Sequence, residues 1–374
     1  MDAPKPNPMK IEELIIIVIK FLQIPLAVTY DQANHETPFP LQYKSARVLS
    51  TCQEVSRQWR FCASRVPPSI VFRDSSVCLG NEVVKNRLVA HGNHIKRLFV
   101  QPPDCQGEEK KINHRSIATI LGACPALVYI HWNTLQSPDL PSLLPTLQNL
   151  TRLDFSFHRD SVPRFKRLVS RAPALEYITV MGIIGGGDMP PFVTLPHSVT
   201  TISLSYSGAT FDQWIQNRWH APSLACLISS VPGLGFKKLA KRATKIDLRP
   251  SFAVGLGQYS ENNFEPQIHA LPKLGRKGTL VYSTFFCPPL HLVDEEKPQF
   301  QWVQALSLKT SGSSDETKEE RWAAASLHLG SVLDWFPNLT SIDLYDDFGD
   351  WKEREEVQVF AALAEESEIV LRYV

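Results

Sequence analysis

Ala172-Pro173-Ala174-Leu175-Glu176-Tyr177-Ile178-Thr179-Val180 decides how the rest of the chain is read. Counted from Leu175, apolar residues stand at places one, four and six (Leu175, Ile178, Val180), with a Pro two residues ahead of the first. Variants recur at Pro125-Ala126-Leu127 with Ile130 and Trp132, and at Gln148-Asn149-Leu150 with Leu153 and Phe155. Others are His197-Ser198-Val199 with Ile202 and Leu204, Pro222-Ser223-Leu224 with Leu227, and Pro337-Asn338-Leu339 with Ile342 and Leu344. Alternating apolar residues are a strand signal, and a strand signal at a fixed period is a repeat signal.

The steps from Leu127 to Leu150, Leu175, Val199 and Leu224 are 23, 25, 24 and 25 residues. Helical stripes lie between them: Ile117, Ile120, Leu121; Leu140, Leu143, Leu144, Leu147; Phe165, Leu168, Val169; Phe211, Trp214, Ile215. Each unit is then strand, loop, helix, loop, the crossover that parallel strands require. The Leu-x-x-Leu-x-Leu spacing resembles leucine-rich repeats, in a divergent form without the Asn that follows the strand. Past Leu224 the period weakens. Lys245–Leu248 reads as a strand, Leu280–Phe286 as extended, and 250–300 is otherwise irregular. Regularity returns with strands at Val303–Leu308 and Leu339–Tyr345, a helix over Arg321–Trp335, an acidic helix over Trp351–Glu366, and a terminal strand at Glu368–Tyr373.

Working back toward the N-terminus, Ser69–Phe72 and His94–Val100 read as strands. Ala46–Ala63 is helical, with Val48, Leu49, Cys52, Val55, Trp59 and Cys62 in one stripe, and Pro67-Pro68 ends it. Ile11–Leu22 is a second helix with an apolar face of Leu14, Ile15, Val18, Ile19 and Leu22. Residues 1–10, holding Pro4, Pro6 and Pro8, read as a flexible leader.

The two helices together resemble the F-box, the module that docks on the Skp-type adaptor of cullin–RING ubiquitin ligases. Glu13, Leu14, Ile15, Val18, Ile19 and Leu22 match its opening pattern. Val55-Ser56-Arg57-Gln58-Trp59-Arg60 matches its closing pattern position by position. Lys10 and Ile11 replace the leading Leu-Pro, and the connection from Leu22 to Arg47 is longer than the family's. The resemblance implies a substrate-recognition subunit that binds an Skp-type adaptor through Leu14, Ile15, Val18, Ile19, Leu22, Val55 and Trp59. The alternative is a helical cap on a repeat array that serves as an interaction scaffold with no ligase link. The expected fold is α/β: a small all-α F-box-like module over 11–66, then a leucine-rich-repeat-like solenoid over 67–374.

Composition agrees with a large core and argues for little chemistry. Hydrophobic residues make up 43% and the net charge is +1, so no nucleic acid or membrane surface is expected as a partner. Seven scattered cysteines suit a reducing compartment, cytoplasm or nucleus. Leu14–Ile19 is too short to span a bilayer, which takes about 20 residues. Gly182-Ile183-Ile184-Gly185-Gly186-Gly187-Asp188 lacks the order of a phosphate loop and reads as a plain loop. His91 and His94 lack companions for a metal. Asp343, Asp346, Asp347 and Asp350 read as a solvated cluster, and Lys237, Lys238, Lys241, Arg242 and Lys245 as a helix's wet face. Asn149-Leu150-Thr151 and Asn338-Leu339-Thr340 are formal glycosylation sequons, discounted because each enters a buried strand. No catalytic constellation or cofactor site is expected.

What remains is a surface. Strand alternation turns Tyr129, His131, Arg152, Asp154, Tyr177, Thr179, Thr201, Ser203, Ser341 and Asp343 away from the core. They are expected to tile a concave, partner-binding face for an unidentified protein substrate.

Overall fold

The computed structural model describes residues 15, 55–65, 70–72, 92–100, 120–132, 145–157, 162–183, 192–207, 209–229, 234–248, 277–283, 300–309, 329–330, 332–345 and 351–374. The turn ahead of each strand explains the recurrent motif. The N–H of Leu175 bonds the carbonyl of Ala172 at 3.2 Å, closing a four-residue turn with Pro173 at its second position. Leu127 on Cys124, Leu150 on Leu147, Val199 on Pro196, Val303 on Phe300 and Leu339 on Phe336 repeat it at 3.1–3.3 Å. Proline's fixed φ suits that second position, which is why Pro125, Pro173 and Pro337 stand there. The Leu or Val that closes each of these turns is also the first core residue of its unit.

Twelve strands form one sheet: β1 (Ile70–Phe72), β2 (Arg97–Val100), β3 (Tyr129–Trp132), β4 (Arg152–Phe157), β5 (Tyr177–Ile183), β7 (Thr201–Ser207), β9 (Cys226–Ser229), β10 (Lys245–Leu248), β11 (Gly278–Ser283), β12 (Val303–Lys309), β13 (Ser341–Tyr345) and β14 (Val370–Tyr373). Every pairing in it is parallel, and strand order follows chain order. The expected α/β class and parallel strands are therefore present. A second sheet, unforeseen from the sequence, pairs β6 (Val193–Thr194) with β8 (Trp219–His220).

Helices cover one face. α1 (Arg57–Arg65) lies toward the N-terminus, and α2 (Val162–Ser170), α3 (Ala209–Arg218), α4 (Leu234–Ala240) and α5 (Glu355–Glu366) lie among the strands in sequence. α2 buries Val162, Phe165, Leu168 and Val169, spaced as one helical face, and leaves Lys166 and Arg167 in water. Leu153, Ile178, Ile202, Leu227 and Ile246, in register across consecutive strands, are all 0% exposed. Burying one such side chain contributes about 1.5–3 kcal/mol. Under β3–β5, the rings of Phe155, Phe157, Phe165, Trp214 and Trp219 interlock, with Trp214 and Trp219 edge-to-face at 5.3 Å.

The C-terminal helix departs from its expected span. Residues Trp351–Glu353 form a 3-10 turn, and Arg354 is extended (φ −83°, ψ 129°) before α5 begins. α5 then stops at a left-handed residue, Glu368 (φ 58°). Its N–H bonds Glu365 at 3.0 Å and the N–H of Ile369 bonds Ala364 at 2.8 Å, the paired closure that ends many helices. The last strand consequently starts at Val370 rather than Glu368.

Candidate functional site

Side chains of odd-numbered positions on β2 and β3 continue in register onto even positions of β4, giving two rows on the face opposite the core. One row runs Arg97, Tyr129, Arg152, Tyr177, Thr201; the other runs His131, Asp154, Thr179, Ser203. In the first row cations and rings alternate. The Arg152 guanidinium carbon lies 4.4 Å from the Tyr177 ring centre and 5.2 Å from that of Tyr129, close enough for attraction to both faces.

The second row supplies the anion. Asp154 accepts a hydrogen bond from the Tyr129 hydroxyl at 2.5 Å and one from Arg152 Nε at 3.2 Å, and His131 Nδ1 is 3.7 Å away. Burial raises the Asp154 pKa, but the Arg152 charge, helped by His131 and Thr179, outweighs it and holds the carboxyl at about 2. Asp154 is thus an ionised hub whose oxygens are committed to its neighbours. Arg97, on β2, is pulled below its usual range by burial, with Tyr129 acting the other way.

This face is more closed than strand alternation suggests. Tyr129 (3%), His131 (8%), Arg152 (7%), Asp154 (1%), Thr179 (4%) and Ser203 (8%) are all buried, while Tyr177 and Thr201 are half-buried. Asp343, seven strands further along the sheet than Asp154, is remote from that cluster and accepts a hydrogen bond from Arg372 Nε at 2.6 Å. The face therefore holds a compact ionic knot at β3–β5 and a separate ion pair at β13–β14. Sequence reading did not single out Arg97 or Arg372, whose roles depend on register with strands 29 or more residues away.

Of the residues expected to meet an adaptor, Ile15, Val55 and Trp59 are described; Leu14, Val18, Ile19 and Leu22 lie outside the described residues. Ile15 is helical and 8% exposed. On α1 the Ser56 hydroxyl accepts the N–H of Trp59 at 3.2 Å, a helix N-cap built by the closing motif itself. Cys62 is wholly buried, Trp59 half-buried and Val55 60% exposed, so the stripe runs from the interior into solvent.

The remaining candidates resolve simply. Lys238 Nζ bonds the Trp219 carbonyl at 3.1 Å, and Arg242 Nη1 bonds the Ala221 carbonyl at 3.3 Å beside His220. The basic helix thus fastens the small sheet as well as facing water. Both sequon asparagines are staples: Asn149 Nδ2 bonds the Pro125 carbonyl at 3.1 Å and Asn338 Nδ2 the Gln301 carbonyl at 2.7 Å, each in the preceding unit's turn. Thr151 and Thr340 bond the Val128 and Gln304 carbonyls in the same way. Residues 184–190, His91, Asp346, Asp347 and Asp350 lie outside the described residues. Among the described residues no three His, Cys, Asp or Glu side chains are grouped to hold a metal, and no helix is long and apolar enough to cross a membrane. Comparison with protein-family models, with curated proteins and with solved structures returned no match.

Proposed function

We propose that the chain is a substrate-recognition subunit of an Skp–cullin–F-box ubiquitin ligase, with a leucine-rich-repeat-like solenoid behind an F-box-like module. The observation that carries this reading is α1. Its closing motif caps its own helix through Ser56 and leaves Val55 60% exposed next to a half-buried Trp59. An apolar stripe that leaves the core and continues into water is the form of a helix face that completes its burial on a partner. An Skp-type adaptor is the partner the motif implies. The solenoid reading is supported by parallel strands in chain order and by the recurrent turn that precedes six of them.

The substrate would be held on the polar face, where Tyr177 and Thr201 are partly open and the ionic knot below fixes their neighbours. Ubiquitin transfer would be the work of the assembled ligase and not of this chain. Co-expression with an Skp-type adaptor followed by affinity purification tests the reading. Co-purification is expected, and the pair Leu14→Asp with Trp59→Ala should abolish it while leaving the circular dichroism of the parallel sheet intact. A soluble chain that leaves the adaptor behind would sink the proposal.

A further inference from the structure

The net charge of +1 conceals an uneven distribution. Residues 162–248 hold ten Lys and Arg against four Asp and Glu, a net +6, while the rest of the chain holds 29 against 34, a net −5. Three of the ten, Arg218, Lys238 and Arg242, gather with His220 about the short strand β8. Lys238 Nζ donates to the Trp219 carbonyl at 3.1 Å, Arg242 Nη1 donates to the Ala221 carbonyl at 3.3 Å, and that Nη1 lies 3.4 Å from His220 Nδ1. The gathering is not free of strain. Lys238 and Arg242 stand four residues apart, and burial together with the Arg242 charge holds Lys238 below the usual lysine range. Among the described residues neither Lys238 nor Arg218 makes an ion pair.

We propose that the outer face of the β6–β8 sheet, with the cations of α4 and its following turn at its edge, docks an acidic polypeptide segment. Alternation builds that face. Val193 and Trp219, paired across the two strands, turn into the core, where Trp219 stacks on Phe165 of α2 at 5.6 Å. Thr194 and His220, the next pair, are exposed, and so is Phe192 just ahead of β6. Arg218 lies 4.6 Å from the Phe192 ring centre, a contact that fixes the guanidinium while leaving its donors unspent. The two backbone carbonyls likewise hold Lys238 and Arg242 in place, each with donors to spare. Positioned cations at a strand edge match a run of carboxylates in charge and in hydrogen bonding. Other anionic partners fit less well. Phe192 is the single large apolar side chain exposed among the described residues of 162–248, which gives no platform for successive bases and no apolar face for a bilayer. The inference does not rest on the ligase reading: the surface lies with the helices, behind the sheet's polar face, and needs no adaptor.

Fluorescence anisotropy of a fluorescein-labelled decaglutamate peptide, titrated with the full chain, tests it. Saturable binding with a dissociation constant of about 1–100 µM is expected at about 50 mM salt, weakening about fivefold or more at about 300 mM. Arg218→Gln with Lys238→Gln should raise the dissociation constant about tenfold or more. Arg218→Gln alone, which breaks no hydrogen bond of the fold, should raise it about threefold and leave the melting temperature in place. Lys352→Glu, exposed in the last unit, changes net charge as much as the double variant and should leave binding unchanged. Absence of saturable binding overturns the proposal. So does a loss with Lys352→Glu as large as with the double variant. Binding at least about tenfold tighter to a decathymidylate, or to phosphatidylserine-containing vesicles, would assign the surface to nucleic acid or membrane and overturn the choice of partner.

Discussion

At Asp154 two effects oppose each other: loss of water favours the neutral acid, while Arg152 at 3.2 Å favours the carboxylate. Arg152 prevails, and the group sits at about 2, against about 3.9 for an unfolded aspartate. Its contribution to stability is therefore complete above about pH 4 and is lost as the pH falls toward 2. Asp154→Asn removes the charge from a buried pair and strands Arg152, which should cost about 3–5 kcal/mol in urea unfolding at pH 7. The same variant should flatten the fall of stability between about pH 4 and 2, and an unchanged slope would assign that fall to other carboxylates. The sequence told which side of the sheet Asp154 occupies, because alternation is a property of one strand. It did not tell that Asp154 is 1% exposed, since Tyr129 and Arg152 close over it only once neighbouring units are in register.

Between elements, the turns carry the unit-to-unit fastening. Asn149 and Asn338 each occupy the third position of a turn and reach the second-position carbonyl of the turn before, Pro125 and Gln301. Asn149→Ala and Asn338→Ala should each cost about 1 kcal/mol, and, being far apart, should add in the double variant. Equal urea midpoints for wild type and variants would show that water replaces both bonds without loss. Gly278 marks a tighter contact, since a Cβ there would lie 2.2 Å from the Thr244 carbonyl oxygen. Gly278→Ala must push β10 and β11 apart, and is expected to lower the midpoint more than either asparagine change. The recurrence of Asn-Leu-Thr was plain in the sequence. Its purpose was not, because each bond's acceptor belongs to another unit, 24 or 37 residues back.

Across the molecule, the spacing of 23–25 residues made the parallel strands readable, while the weaker period beyond Leu224 concealed β11's place in the same sheet. The side sheet of β6 and β8 left no period at all, its strands being two residues long. The break at Arg354 was equally silent, since Trp351–Glu366 has one amphipathic pattern throughout. Strands with neighbours on both sides should hold their amides longest: hydrogen exchange is expected to be slowest in β5 and β7 and faster in β14. Strand order that follows chain order also bears on biosynthesis. Each strand's next partner is the one the ribosome has just released, so a nascent chain can add units one at a time from its N-terminal end. No strand of the large sheet after β1 has to wait for a later one before it finds a hydrogen-bonding neighbour.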